Sequence, residues 1–218
     1  LVVGRRDDGE GWHLVYFIMG RSDNSRNRRF KAEGDRLWTE AVDESKVEDP
    51  SLIIYDAMLA VPEVQIVSNG DQTTTVHDAL VAGGRFPSAL ATREREPDAP
   101  NFTPRITAML DARHGDGVVD LAILKANRCD PTQTDRYFYR PAAPAPGLGY
   151  GLTTYMGDGS PLPSFTADPV LLPVKGSASE VLDAYWNALD ADNRISLAVK
   201  TVGPKAELTS LLIKNRYA

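Results

Sequence analysis

Short apolar segments of strand length, separated by turn residues, run through most of this sequence and restrict the folds open to it. They predict strands at residues 1–5, 12–20, 37–42, 52–61, 65–68, 105–110, 118–126, 136–140, 194–202 and 206–213. Helices are predicted at residues 73–82, 87–95 and 177–189, and the Pro- and Gly-rich residues 141–150 predict a loop. Strands joined by short hairpins, with the helices grouped apart, predict an α+β fold with largely antiparallel sheets.

The charge and residue usage of the chain exclude several classes of protein. Its 218 residues carry a net charge of −6, whereas nucleic acids and anionic membrane surfaces require a basic face. A single cysteine, Cys129, excludes a disulfide framework and a cysteine-based metal cluster. No apolar run approaches the roughly 20 residues that span a bilayer. We therefore expect a cytoplasmic protein that binds neither nucleic acid nor membrane.

The sequence also carries no motif for a metal or a cofactor. The three histidines, His13, His77 and His114, are scattered and lack the spacing of metal ligands. No Walker loop, no G-x-S-x-G elbow and no G-x-G-x-x-G before a helix is found. We therefore expect a site that works with neither a metal nor a cofactor.

Residues 20–29, GRSDNSRNRR, place four arginines in a predicted loop of this acidic chain: Arg21, Arg26, Arg28 and Arg29. Clustered guanidinium groups repel one another, so the cluster costs free energy unless an anion lies among them. A phosphate group is the natural candidate for that anion. The alternative, a solvated turn whose arginines pair with nearby acidic residues, remains equally open on spacing alone.

Three further polar segments lie where predicted strands meet loops, the usual position of binding residues. Tyr55 follows the apolar run SLIIY, Asn69 and Gly70 lie between a strand and a helix, and residues 94–105 (EREPDAPNFTPR) connect a helix to a strand. Each segment also has a purely structural explanation. These are a tyrosine at the edge of the core, a helix cap and a proline-stiffened connection.

Taken in order, these segments resemble a known enzyme family. FIMGRSDNSRNR, EDPSLIIY, SNGDQT, EPDAPNFTPRI, TYMGDGSPLPSF and WNALDADNRISL together resemble the archaeal-type inosine monophosphate (IMP) cyclohydrolases and their bacterial relatives. The resemblance covers essentially the whole chain and implies one domain over residues 1–218. It implies a four-layer αββα sandwich like that of the Ntn hydrolases, and a homotetramer.

The family closes the second ring of the purine base in de novo purine biosynthesis. The resemblance therefore implies a purine ribonucleotide substrate, 5-formamidoimidazole-4-carboxamide ribonucleotide, which yields IMP and water. It also implies that Arg21, Tyr55 and Glu96 are catalytic. The implied substrate-binding residues are Ser22, Asn24, Arg26, Asn27, Arg28, Asn69, Asp71, Asn101, Arg105 and Tyr155.

Our hypothesis for the division of roles assigns the formyl oxygen to Arg21 and proton transfers to Tyr55 and Glu96. Arg26, Asn27 and Arg28 would hold the 5′-phosphate, and Asn69, Asn101 and Arg105 the ribose and the edge of the base. Arg29 is expected to be an ordinary surface residue.

The chain departs from the family pattern near its first residue. Family members carry a Tyr-x-Gly-Arg segment just before the first strand, and this sequence begins after it. Leu1 also lacks the nucleophile that Ntn-type amidases use, so we expect neither self-processing nor amide hydrolysis. Two other functions stay open. One is an amidohydrolase of the same fold with another substrate, and the other is a purine-nucleotide-binding protein without catalysis.

Overall fold

A computed structural model of the chain, which describes residues 1–47 and 49–217, is an α+β structure with two sheets. One sheet is built from β1 (Val2–Arg5), β2 (Trp12–Met19), β10 (Leu148–Gly151), β11 (Val170–Pro173), β12 (Arg194–Val202) and β13 (Leu208–Asn215). The other is built from β3 (Arg28–Glu33), β4 (Arg36–Ala41), β5 (Asp56–Val61), β6 (Val64–Ser68), β7 (Arg105–Asp111), β8 (Val118–Ala126) and β9 (Thr134–Tyr139).

The seven-stranded sheet follows the order of the chain, whereas the six-stranded sheet joins strands that are far apart in the sequence. The six-stranded sheet runs β11-β10-β1-β2-β12-β13, and the seven-stranded sheet runs β3-β4-β5-β6-β7-β8-β9. Every strand pairing in the described residues is antiparallel. The predicted α+β class with largely antiparallel sheets is therefore confirmed.

Within residues 1–47 and 49–217, four helices accompany the sheets: α1 (Asp23–Arg26), α2 (Gln72–Val81), α3 (Phe86–Leu90) and α4 (Ala178–Ala188). Two short 3₁₀ turns, Glu44–Lys46 and Pro50–Leu52, lie between β4 and β5. None of the helices in the described part of the chain has the length and apolar character of a membrane span.

Three buried hydrophobic clusters define the layers. The largest joins the facing sides of the two sheets, for example Leu14 of β2 with Leu110 of β7. A second packs α2 and α3 on the outer side of the seven-stranded sheet, and a third packs α4, through Trp186, on the outer side of the six-stranded sheet. This order of helix, sheet, sheet and helix is compatible with the αββα sandwich.

Strand β2 shows how the sequence produces this layering. Successive side chains of a strand point to opposite faces, so Leu14 and Tyr16 enter the core between the sheets while Val15 and Phe17 pack towards α4. Both faces are covered, which explains why β2 is an unbroken apolar run rather than an alternating one.

The prediction of a loop over residues 141–150 is confirmed for residues 141–147 and is wrong beyond them, because β10 begins at Leu148. Gly149 pairs with Gly4 of β1, and a Cβ atom added at Gly149 would lie 2.6 Å from the Cα atom of Gly4. Two glycines thus allow a close backbone approach that glycine-rich composition alone does not reveal. Strand β11, which the sequence analysis does not predict, then pairs with β10.

Two predicted boundaries are also wrong. The strand predicted from residue 52 begins at Asp56, because Pro50–Leu52 forms a 3₁₀ turn first. The second predicted helix ends at Leu90, five residues early. Beyond it, the guanidinium of Arg95 donates hydrogen bonds to the backbone carbonyl of Pro131.

Candidate active site

The candidate site lies where the predicted polar segments meet at one end of the two sheets. It combines the loop after β2, the residue before β5, the turn after β6 and the segment that leads into β7. Its centre is formed by two buried groups, Tyr55 and Glu96, whose pKa values are raised by burial.

Tyr55 is held at its backbone and at its hydroxyl. Its N–H donates to Thr39 Oγ1 over 2.9 Å, and its carbonyl accepts from the Thr39 N–H over 3.0 Å. The phenol is buried, and its oxygen lies 2.8 Å from the Tyr16 hydroxyl oxygen. Burial raises the pKa of Tyr55; Arg28 opposes this shift and Glu96 adds to it. The phenol therefore stays protonated near neutral pH between a cation and a carboxyl group.

Glu96 is a buried carboxyl group in a bidentate contact with Arg105. Arg105 Nη1 lies 2.8 Å from Glu96 Oε1, and Arg105 Nη2 donates to Oε2 over 3.0 Å. Burial raises the pKa of Glu96 to about 7, although Arg105 favours its charged form. A carboxyl group with a pKa near neutrality can both accept and release a proton under physiological conditions.

Arg105 is in turn fixed by the turn after β6. Its Nη1 donates to Asp71 Oδ1 over 2.6 Å and to Gln72 Oε1 over 2.8 Å, and its Nε donates to the Glu94 carbonyl over 2.7 Å. Burial alone would raise the pKa of Asp71, but Arg105 and Arg93 hold it below its ordinary value. Arg105 thus positions Glu96, and Asp71 is an anion that anchors two arginines.

Gly70 leaves the space that this network occupies. A Cβ atom added there would lie 2.6 Å from Gln72 Oε1, 2.9 Å from Arg105 Nη1 and 3.1 Å from Glu96 Oε1. All three contacts are shorter than ordinary van der Waals distances, so a larger residue must displace the network.

The arginine-rich segment, residues 20–29, contains one helical turn, α1, and ends in β3. Ser22 caps α1 in a capping box with Ser25, whose hydroxyl accepts from the Ser22 N–H over 3.1 Å. Arg26 Nε donates to the Gly20 carbonyl, and Arg28 Nε donates to the Ser25 carbonyl over 3.0 Å. These contacts leave the outer nitrogen atoms of Arg28 on the Tyr55 side, where Arg28 lowers the pKa of that phenol.

The other two arginines of the loop face outward. Arg29, expected to be a surface residue, lies on β3 and donates to Glu40 over 2.6 Å. Arg21 donates to the exposed Asp158 over 2.6 Å and remains about half exposed itself. Pairing with acidic residues, the alternative left open for this loop, therefore holds for these two side chains.

Tyr155 links the Arg21 side of the site to the Glu96 side. Its hydroxyl lies 2.7 Å from Thr103 Oγ1. Burial raises its pKa, while Arg21 lowers it and Glu96 raises it further. The charges of Arg21 and Glu96 therefore both act on the Tyr155 hydroxyl.

The four predicted asparagines differ in what their amides contact. Asn27 donates to the Asp43 carbonyl and accepts from its N–H, and Asn69 bonds the backbone at residues 104 and 106. Asn101 accepts from the Leu162 N–H over 3.0 Å. Asn24 Oδ1 is buried and has no hydrogen-bond partner among the described residues. Of the four, Asn24 alone has a side-chain oxygen without a hydrogen-bond partner in the described part of the chain, and the predicted binding roles of all four stay predictions.

Comparison with known proteins gives the family. The family model described as IMP cyclohydrolase-like protein matches residues 1–205. The chain belongs to the IMP cyclohydrolase-like family. A search of the curated proteins finds no relative of this chain.

In this IMP cyclohydrolase-like protein, sequence reasoning missed Tyr16, Gln72 and Arg93, each of which touches a predicted site residue. Tyr16 was assigned to an apolar strand, yet a buried phenol normally needs a hydrogen-bond partner, and that rule could have drawn attention to it. In the described part of this family member, no group of three or more His, Cys, Asp or Glu side chains is arranged to hold a metal ion.

Proposed function

We propose that this protein is an IMP cyclohydrolase of the archaeal type, with an Ntn-hydrolase-like sandwich. It would close the ring of 5-formamidoimidazole-4-carboxamide ribonucleotide to give IMP and water in de novo purine biosynthesis. Membership of the IMP cyclohydrolase-like family supports this proposal. The observation that carries it is the buried Glu96, whose pKa of about 7 suits proton transfer at neutral pH.

The reaction joins two groups of one molecule. The carboxamide nitrogen attacks the formyl carbon, loses a proton, and the formyl oxygen gains one to become a hydroxyl. That hydroxyl then takes a second proton and leaves as water, while the formamido nitrogen gives up its proton. The enzyme must therefore hold one conformer, move protons, and support negative charge on the formyl oxygen.

Glu96 is suited to receive the proton of the carboxamide nitrogen. It is close to Tyr55, whose pKa it raises, and its carboxyl group is fixed by Arg105. With a pKa near 7, a large share of Glu96 is charged at neutral pH and ready to act as base. Tyr55 stays protonated under the same conditions and can supply a proton to the oxygen that leaves.

The guanidinium beside Tyr55 favours a change in our hypothesis for the arginines. Arg28, rather than Arg21, is the arginine whose charge acts on Tyr55, so we assign the formyl oxygen to Arg28. Arg21 is half exposed beside Asp158 and fits a charged group of the substrate at the rim, such as the 5′-phosphate. A positioned donor for such an oxygen is typically worth about 3 kcal/mol of barrier.

Ring closure by the purified protein tests the proposal. The formamido ribonucleotide should give a rise in ultraviolet absorbance and a stoichiometric yield of IMP by mass spectrometry, above a protein-free baseline. Glu96→Gln and Tyr55→Phe should each lower kcat by about 10²- to 10⁴-fold. Retention of near-wild-type kcat by both variants would refute the assignment of roles.

Two exposed neighbours provide matched controls. Glu94→Gln removes a carboxylate that is 64% exposed, and Tyr137→Phe removes a hydroxyl on the edge strand β9. Both should retain wild-type kcat. A wild-type protein that binds IMP but yields no product would favour the non-catalytic nucleotide-binding alternative over the proposed function.

A further inference from the structure

Tyr16 is a fully buried phenol that connects the two sheets. It lies on β2 of the six-stranded sheet, and its ring centroid is 5.5 Å from that of Phe30 on β3. Its hydroxyl oxygen lies 2.8 Å from that of Tyr55, which is bonded to β4 through Thr39. Among the described residues, this is the single hydrogen bond of the Tyr16 hydroxyl.

The partners of Tyr55 determine what its own proton can do. A phenol oxygen accepts at most two hydrogen bonds and donates one. The Arg28 guanidinium, whose charge lowers the pKa of Tyr55, can donate but cannot accept. If Tyr16 donates in the contact between the two hydroxyls, the Tyr55 proton is not used there and Arg28 cannot receive it, so it must point to a third group.

The environment of Tyr16 favours this direction of donation. Burial holds the pKa of Tyr16 well above its ordinary value, and the nearby Tyr55 adds to that shift. The hydrogen bond to Tyr16 instead lowers the pKa of Tyr55. Of the two phenols, Tyr55 therefore gives up its proton first, with Tyr16 as the donor that stabilises the resulting phenolate.

We propose that Tyr16 is a positioning residue whose hydroxyl, by donating to Tyr55, directs the Tyr55 proton towards the oxygen that leaves the substrate as water. This inference rests on the proposed function. It adds a structural reason for the proposed role of Tyr55 as the acid, with Glu96 as the base. Tyr16 itself does not touch the substrate, because its hydroxyl lies behind Tyr55 in the core.

A double-mutant cycle tests the inference. Tyr16→Phe keeps the ring and should lower kcat at least tenfold while KM changes less than twofold. In the Tyr55→Phe background the same change should have no further effect on kcat, because the acid is already absent. Tyr185→Phe is the control for a tyrosine outside the site, because it removes a half-buried hydroxyl of α4 that donates to the Pro173 carbonyl.

Two outcomes of the cycle would overturn the inference. One is a wild-type kcat in Tyr16→Phe. The other is an equal loss of kcat from Tyr16→Phe in the presence and absence of the Tyr55 hydroxyl, since that loss would report structural damage alone.

A second measurement works without turnover and separates this inference from the proposed function. In protein labelled with ¹³C at the tyrosine Cζ, the resonance of Tyr55 is assigned by its absence in Tyr55→Phe. Its titration should move to higher pH in Tyr16→Phe, because the phenolate loses its donor. An unchanged titration would refute the donation from Tyr16, whereas failed ring closure with a shifted titration would refute the proposed function alone.

Discussion

Glu96 should give this protein an unusual loss of stability between mildly acidic and neutral pH. Its pKa is about 7 in the folded protein, against 4.5 as the ordinary value. A raised pKa in the folded state means that the unfolded chain ionises first as the pH rises. The stabilising contribution is therefore complete below pH 4.5 and is lost as the pH approaches and passes 7.

The difference between the folded and unfolded pKa of Glu96 determines how much the free energy of unfolding changes. Each unit of pKa difference corresponds to about 1.4 kcal/mol, so the free energy of unfolding should fall by about 3 kcal/mol through this group. Glu96 is only 7% exposed, so solvent screens its charge weakly. Urea unfolding from pH 4 to pH 8, followed by circular dichroism, measures the change.

Glu96→Gln isolates the contribution of Glu96 to the pH dependence of stability, because glutamine does not titrate. The variant leaves Arg105 with one partner fewer, so its free energy of unfolding should be lower at every pH. That free energy should, however, lack the fall between pH 4.5 and 7. Glu94→Gln, exposed and two residues away, should follow the wild-type curve. If the wild-type and Glu96→Gln curves run parallel across this range, the reasoning from burial is wrong.

Two further substitutions test the framework of the site. Gly70→Ala should lower the free energy of unfolding by about 1–3 kcal/mol and slow ring closure, because its Cβ atom must displace the Arg105 network. The control is Gly157→Ala, which has open space around it and should change neither the urea midpoint nor the rate of ring closure appreciably. Asn27→Ala should lower the free energy of unfolding by about 1–3 kcal/mol, because it leaves two backbone groups of Asp43 without partners. An unchanged urea midpoint for Asn27→Ala would argue against this structural role.

The parts of the fold that local chemistry controls were predictable from the sequence. Helix α4 begins where the capping box of Ser177 and Glu180 indicates, and β2 and β12 follow their apolar runs to within two residues. Strand β10 was not predictable, because its pairing depends on Gly149 meeting Gly4, which is 145 positions away in the chain. The conformational preferences of neighbouring residues do not reveal that two glycines so far apart in the sequence will pair.

The same limit applies to the candidate site. The sequence indicated which side chains can bind or transfer protons, and the charges of Arg28 and Glu96 act on the pKa of Tyr55. It did not indicate which donors the protein already uses. Arg105 could be predicted to touch a ligand, yet its guanidinium is engaged with Asp71, Gln72 and Glu96. Only the folded arrangement separates an available arginine from one that holds another residue.

The hydrogen bond between Tyr16 and Tyr55 connects the six-stranded sheet, through β2, to the residue that precedes β5 of the seven-stranded sheet. Its length of 2.8 Å therefore depends on core residues such as Leu14 and Leu110, whose volumes help to determine how far apart the sheets lie. Under the proposed function, the placement of the Tyr55 proton thus depends on the spacing of the sheets. Substitutions that change core volume by a single methylene should alter turnover before they alter folding, so activity is the more sensitive gauge of how well the two sheets fit.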